Sequence, residues 1–155
     1  MRGILWLTAI GFLSGIVLIA VLKLIMLWTG NTAYILLFNF DYIPVIQDLR
    51  PEKFFGYVFH FVTCCASVIG LFLILRIWQK QWQIWPYVLV YMLGGGALFF
   101  LTALSPKPPD YDDVAAWMYW TLAHGVFGWC VGYLIQKLKF KLGSVSINQH
   151  SGKRN

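Results

Sequence analysis

The chain has 155 residues, 59% of them hydrophobic and 12% charged, with a mean hydropathy of +0.68 and a formal net charge of +6. A soluble domain of this length needs more polar surface than this composition supplies, and the length suits one unit rather than two. In a soluble protein the positive charge would point to nucleic acid. Here the long uncharged stretches point to a lipid bilayer, and no nucleic-acid role is expected.

A helix needs about 20 apolar residues to cross the hydrocarbon layer. The first run, 4–29, qualifies and is interrupted by charge only at Lys23. Its core exceeds the roughly 7–15 residues of a signal-peptide h-region and no small-x-small cleavage site follows, so it is read as a span. Loop one contains YILLFNFDYIPVIQ (34–47), apolar but too short to cross. It is expected to lie in the interface or to dip in and return, with Pro44 interrupting any helix. The second span, 54–75, carries His60 within YVFHFVTCCASVIG. A short second loop holds Arg76 and Lys80 and no acid.

The third span, 86–104, contains Gly94, Gly95 and Gly96 in a row. Each glycine costs a helix roughly 1 kcal/mol against alanine, so the run is read as a place where another backbone approaches, with a hinge as the second reading. Loop three, SPKPPDYDD (105–113), has three prolines in four residues and is expected to be stiff and extended. Asp112 and Asp113 then favour the positive end of the next helix, and they lack the spacing of a calcium loop. The fourth span, 114–136, carries His124 within WTLAHGVFGWCVGY. Lys137, Lys139 and Lys141 follow it and should attract anionic lipid headgroups by about 1 kcal/mol each. Residues 143–155 are expected to form a disordered tail.

The fold class expected is therefore all-α: a polytopic membrane protein with four transmembrane helices in a compact bundle over residues 1–142. The runs are too long and too uniformly apolar for barrel strands. All six acids, Asp41, Asp48, Glu52, Asp110, Asp112 and Asp113, fall in loops one and three beside only Arg50, Lys53 and Lys107. Arg2, Arg76, Lys80 and the C-terminal lysines fall on the other side. The positive-inside rule then places both termini in the cytoplasm of a cell whose plasma (inner) membrane the chain spans. Trp6, Trp78, Trp82, Trp85 and Tyr133 are read as inner-interface anchors, and Trp28, Trp117, Tyr119 and Trp120 as outer ones. The two halves echo each other faintly, FDYIP before the second span and PPDYDD before the fourth.

Lipid gives helices no hydrophobic reason to associate, so small residues mark contacts. Candidates are Gly11 and Gly15 in the first span, Ala66 and Gly70 in the second, the triple glycine in the third, and Gly128 and Gly132 in the fourth, with Ala123 and Gly125 nearby. The same patches suit a homo-oligomer.

Ionisable groups inside a membrane are costly, which makes Lys23, His60 and His124 the candidate polar site. At about 1.5 Å per residue, Lys23 and His60 lie roughly 9 Å from the acid-bearing ends of their spans, and His124 lies deeper. Singly, each has a structural reading: Lys23 snorkels outward, and each imidazole donates to a neighbour. Together they form a polar site in the outer half of the bundle, fit for proton relay or a small substrate. His60 and Cys64 stand four apart, as metal ligands often do, but a structural zinc site wants four ligands, and no metal is expected. Axial haem ligation by the two histidines is the third reading, without further haem signature. Cys64, Cys65 and Cys130 all sit in apolar runs and are read as unpaired thiols. No nucleophile elbow, phosphate loop, dinucleotide fingerprint or HExxH is present, and no cofactor is expected.

GFLSGIVLIAVLKLI, IWPYVLVYMLGGGALFFLTALSP and HGVFGWCVGYLI together resemble the small four-span bacterial membrane proteins of the YqhR and YagU kind, over roughly residues 10–136. That resemblance implies a four-helix inner-membrane protein without a catalytic residue to carry over. The function expected is a non-enzymatic structural, interaction or stress-related membrane component, with a small proton-linked carrier using Lys23, His60 and His124 as the alternative.

Overall fold

A computed structural model describes the backbone of residues 2–151 and the side chains of residues 3–139. It is all-helical, with no strand among the described residues. The helices are α1 (Arg2–Thr29), α2 (Ala33–Leu36), α3 (Glu52–Ile77), α4 (Trp85–Leu98), which tightens into a 3-10 segment at Phe99–Leu104, and α5 (Val114–Ser151). By length and composition three helical stretches can cross a membrane: Gly3–Thr29, Glu52–Ile77 and Trp85–Leu104. Residues 114–136 of α5 carry no charge, but Trp, Tyr, Gly and His dilute their hydropathy below that of the other three. The helix continues through Ser151, across much of the stretch read as a tail, and residues 152–155 lie outside the described residues.

Helix ends follow local chemistry. Gly30 closes α1 at φ +73°, donating its N–H to the Met26 carbonyl at 2.9 Å, a left-handed position natural to glycine. α3 ends with Gln79 at φ 56°. The Gln79 N–H bonds the Arg76 carbonyl at 3.1 Å and the Lys80 N–H bonds that of Leu75 at 2.9 Å, the paired bonds of a Schellman close without its usual glycine. Pro86 sits in the first turn of α4, where its missing N–H costs nothing. Asp113 caps α5, its Oδ1 accepting the Ala116 N–H at 2.9 Å. The expected dipole role of the loop-three acids is thus carried by Asp113.

Each long helix buries one narrow stripe. On α1 it is Leu7, Ile10, Ser14, Leu18 and Leu22; on α3, His60, Cys64, Val68, Leu71 and Leu75; on α5, Ala116, Trp120, Ala123, Phe127, Val131 and Ile135. The spacing of three and four is that of one helix face. The remaining faces are also apolar, with Leu13, Val62, Leu93 and Leu122 all exposed. An exterior this apolar is what a lipid-facing helix presents.

Two antiparallel pairs pack most closely, α1 on α3 and α4 on α5, and α1 joins them by packing on α5. Glycines set both close seams. A Cβ on Gly11 would meet the Cys65 Cα at 2.8 Å, and one on Gly15 the Cys64 Sγ at 3.2 Å. On the other seam, Gly128 lies against the Tyr87 carbonyl and Gly132 against the Ile84 backbone. The α3 and α4 backbones stay farther apart and meet through long side chains, with the Tyr91 hydroxyl donating to Ser67 Oγ at 3.4 Å and Phe72 edge-on to Trp82.

Three of the expected packing positions lie off the close seams. Gly70 and Gly94 have nothing within 4 Å of a built Cβ, and Ala66 is exposed. The cause is angular: Ala66 and Gly70 fall off the α3 stripe, and Gly94 falls off the face that Gly95 and Gly96 turn to α5.

Loop one forms a cap. Ala33, Leu36, Leu37 and Phe40 are buried, drawing α2 and the turn after it over the acid-bearing end of the helices, while Val45 is 90% exposed at the far side. These apolar residues find protein to cover them. Loop three folds against the cap with Pro109 fully buried, rather than standing off as an extended strap.

Candidate functional site

His60 is 4% exposed and sits between α3 and α1. Its Nε2 lies 3.2 Å from the Gly15 carbonyl oxygen, which accepts only, so Nε2 carries the hydrogen. Glycine at position 15 leaves room for the ring, and Phe38 and Phe61 meet it edge-on. Cys64 Sγ, one turn on, lies 3.8 Å from the same nitrogen. The imidazole is a crossbar between two helices, in a site walled by rings and a thiol.

His124 bonds within its own helix, Nδ1 donating to the Trp120 carbonyl at 2.8 Å, with its ring 4.3 Å from that of Trp120. Gly95 of α4 lies against it, where a Cβ would come 2.6 Å from the ring. Trp120 is 8% exposed and its indole N–H donates to the Gly95 carbonyl at 2.8 Å. Trp117 does the same to the Gly96 carbonyl at 3.0 Å. These bonds account for two of the three adjacent glycines. A side chain at Gly95 would strike the His124 ring and one at Gly96 the Thr121 hydroxyl, so glycine at both lets α5 come close enough for their carbonyls to accept the indole bonds. Trp120 is therefore an interior residue, and not the interface anchor its sequence position suggested. Trp28, 83% exposed, has the surface position expected of an anchor.

Lys23 turns toward the cap, its Nζ 4.9 Å from the centre of the Tyr34 ring, a cation–π contact. The three candidate polar residues thus take different partners: Gly15 for His60, Trp120 for His124 and Tyr34 for Lys23. Among the described residues no three His, Cys, Asp or Glu side chains gather closely enough to hold a metal ion. Lys137 and Lys139 are exposed past the last apolar turn of α5, with Lys137 over the Tyr133 ring, and the Lys141 side chain lies outside the described residues.

No family model, curated protein or solved structure matches this chain. The site is accordingly read from its own chemistry. Its polar centre is at the cap, which the spacing of the intramembrane residues did not indicate. Lys107 of loop three is held by Asp41 of loop one at 2.9 Å and by Glu52 in the first turn of α3. Burial opposes the charge on Lys107, but the hydrogen bonds and charges of Glu52 and Asp41 outweigh it and hold its pKa above the ordinary 10.5. Asn39, fully buried, donates to Ser105 Oγ at 2.7 Å and accepts the Asp41 N–H at 3.0 Å. Asn31 reaches Asp113 at 3.5 Å. Beneath this latch lies a cavity of about 160 Å³, walled by Tyr34, Ile35 and Phe38, with Asn39, Glu52, Lys53 and Lys107 at its polar side. The one sequence signal for it was the crowding of every acid and three bases into loops one and three.

Proposed function

We propose that the chain is an integral inner-membrane protein that crosses the bilayer four times, with both termini cytoplasmic, and works as a non-enzymatic structural or interaction component. The fourth crossing is the uncharged stretch 114–136 of α5, which packs along α4 and α1. The lysine-rich end supports a cytoplasmic placement under the positive-inside rule. Lys137, Lys139 and Lys141 there would hold anionic headgroups, and the outward Ala66 and Gly70 of α3 offer a seam for a second copy. Kinship with the small four-span bacterial proteins of the YqhR and YagU kind is part of the same proposal.

One observation carries the non-enzymatic, non-carrier part. Both histidines spend a ring N–H on a backbone carbonyl, at Gly15 and at Trp120, as interhelical or intrahelical ties do. A carrier needs its titrating groups linked along a wet path; His60 and His124 lie near enough for their charges to interact, yet each spends its ring N–H on a backbone carbonyl rather than on the other. Substituting His60→Phe and His124→Phe tests the reading. Thermal stability should fall, most for His60 because its bond joins two helices, while proton flux in proteoliposomes should match empty vesicles before and after. Proton flux in the wild type that His60→Phe abolishes, with stability kept, would establish the carrier instead.

A further inference from the structure

We infer that the cavity under the cap binds a small zwitterion, an α-amino acid with an aliphatic side chain, which gives the component proposed above a ligand to respond to. The charges select this class. Asp41 and Glu52 set against Lys107 leave the latch with one negative charge. Lys53, on the same cavity wall, supplies one positive charge and forms no ion pair among the described residues. The site is therefore neutral in sum but carries two separate poles. A net anion or a net cation would be attracted by one pole and repelled by the other, whereas a zwitterion satisfies both. Glu52 and Lys53 are adjacent in the first turn of α3, which suits an ammonium and a carboxylate carried on one carbon.

Hydrogen bonding points the same way. Asn39 lines the cavity and is 2% exposed. Its side-chain amide has two hydrogens: one goes to Ser105 Oγ at 2.7 Å, and the other has no partner among the described residues. An unpaired buried N–H is costly, so the cavity calls for an acceptor. A carboxylate bridging Asn39 and Lys53 meets that need. Lys107 bonds Glu52 through Oε1, which leaves Oε2 to accept from an ammonium. The rest of the wall, Tyr34, Ile35 and Phe38, is apolar and suits an alkyl group. At about 160 Å³ the cavity matches the bulk of a leucine and excludes a whole lipid.

Equilibrium binding of tritiated leucine to the purified full chain in detergent tests the site, and does so independently of membrane orientation. Binding should saturate at one leucine per chain in the millimolar range or below. Isoamylamine, which lacks the carboxylate, and isocaproate, which lacks the ammonium, should each compete about tenfold less well than leucine, the loss of one charge-assisted bond. Lys53→Met should weaken leucine binding by a similar factor, and Lys80→Met, at the opposite end, should leave it unchanged. Both lysines are exposed, so both variants should keep wild-type helicity. The site is overturned by the absence of saturable binding, by equal competition from either analogue, or by unchanged affinity in Lys53→Met. Displacement by glycerophosphoethanolamine at lower concentration than by leucine itself also overturns it, because a lipid headgroup would then own the cavity.

Discussion

Replacing Gly128 by alanine should separate α4 from α5. A Cβ there would lie 2.6 Å from the Tyr87 carbonyl oxygen and 2.9 Å from both the Tyr87 carbonyl carbon and the Val88 Cα, where ordinary contact begins at 3.4 Å. All three atoms are backbone, so no rotamer change relieves the clash. The whole of α4 must retreat by something under 1 Å, and the fully buried Tyr87 and the indole bonds to Gly95 and Gly96 move with it. Overpacking of this kind costs about 1–3 kcal/mol. Alanine returns about 1 kcal/mol of helix propensity, leaving a net loss of up to about 2 kcal/mol. At roughly 2–4 °C per kcal/mol for a chain of this size, the midpoint should fall by up to about 8 °C. The matched control is Gly94→Ala, which meets nothing within 4 Å and should be neutral or slightly stabilising. Circular dichroism melts of both variants in one detergent decide the matter. Equal stability of the two variants would refute the seam as described, and so would a loss for Gly94→Ala as large as that for Gly128→Ala.

The latch at Lys107 should govern local opening rather than global stability, because its side chains are partly exposed, Lys107 31% and Glu52 43%. Lys107→Met should speed chymotryptic cleavage after Tyr42 about two- to fivefold, with the melting midpoint nearly unchanged; unaltered cleavage would remove the latch from the account. The pH dependence has a defined sign. The folded pKa of Lys107 is raised, so its contribution is complete below pH 10.5 and is lost as pH climbs through that higher value. Wild-type cleavage should therefore quicken only in strong alkali, and Lys107→Met should show no such step. Topology has its own assay: with Cys64, Cys65 and Cys130 removed, Lys107→Cys and Lys139→Cys should react with a membrane-impermeant maleimide from opposite faces.

The helices themselves were legible because length, hydropathy and the Gly30 and Asp113 boundaries are local signals. The seam glycines were partly legible: Gly11, Gly15, Gly95, Gly96, Gly128 and Gly132 all lie where a neighbour presses, whereas Ala66 and Gly70 have the same spacing and face outward. Spacing marks a flat patch but not which neighbour fills it. Trp120 was misread for a related reason. An indole near the end of a span fits the headgroup level and an internal carbonyl equally well by sequence, and only the facing Gly95 and Gly96 decide. The cap was out of reach because its bonds join distant residues, Asn39 to Ser105 and Asp41 to Lys107, each 66 positions apart. Nothing in a local window reports a pairing of that range.

The connectivity of the cap imposes an order of events. Asp41 and Glu52 emerge with the first half of the chain, but the ammonium that fastens them belongs to Lys107, between α4 and α5. While only the N-terminal helices exist, loop one has its apolar residues but no clasp. Closure of this end therefore certifies that the second hairpin has arrived, and a truncated or half-inserted product would display an acidic rim without the cation that fastens it in the finished protein.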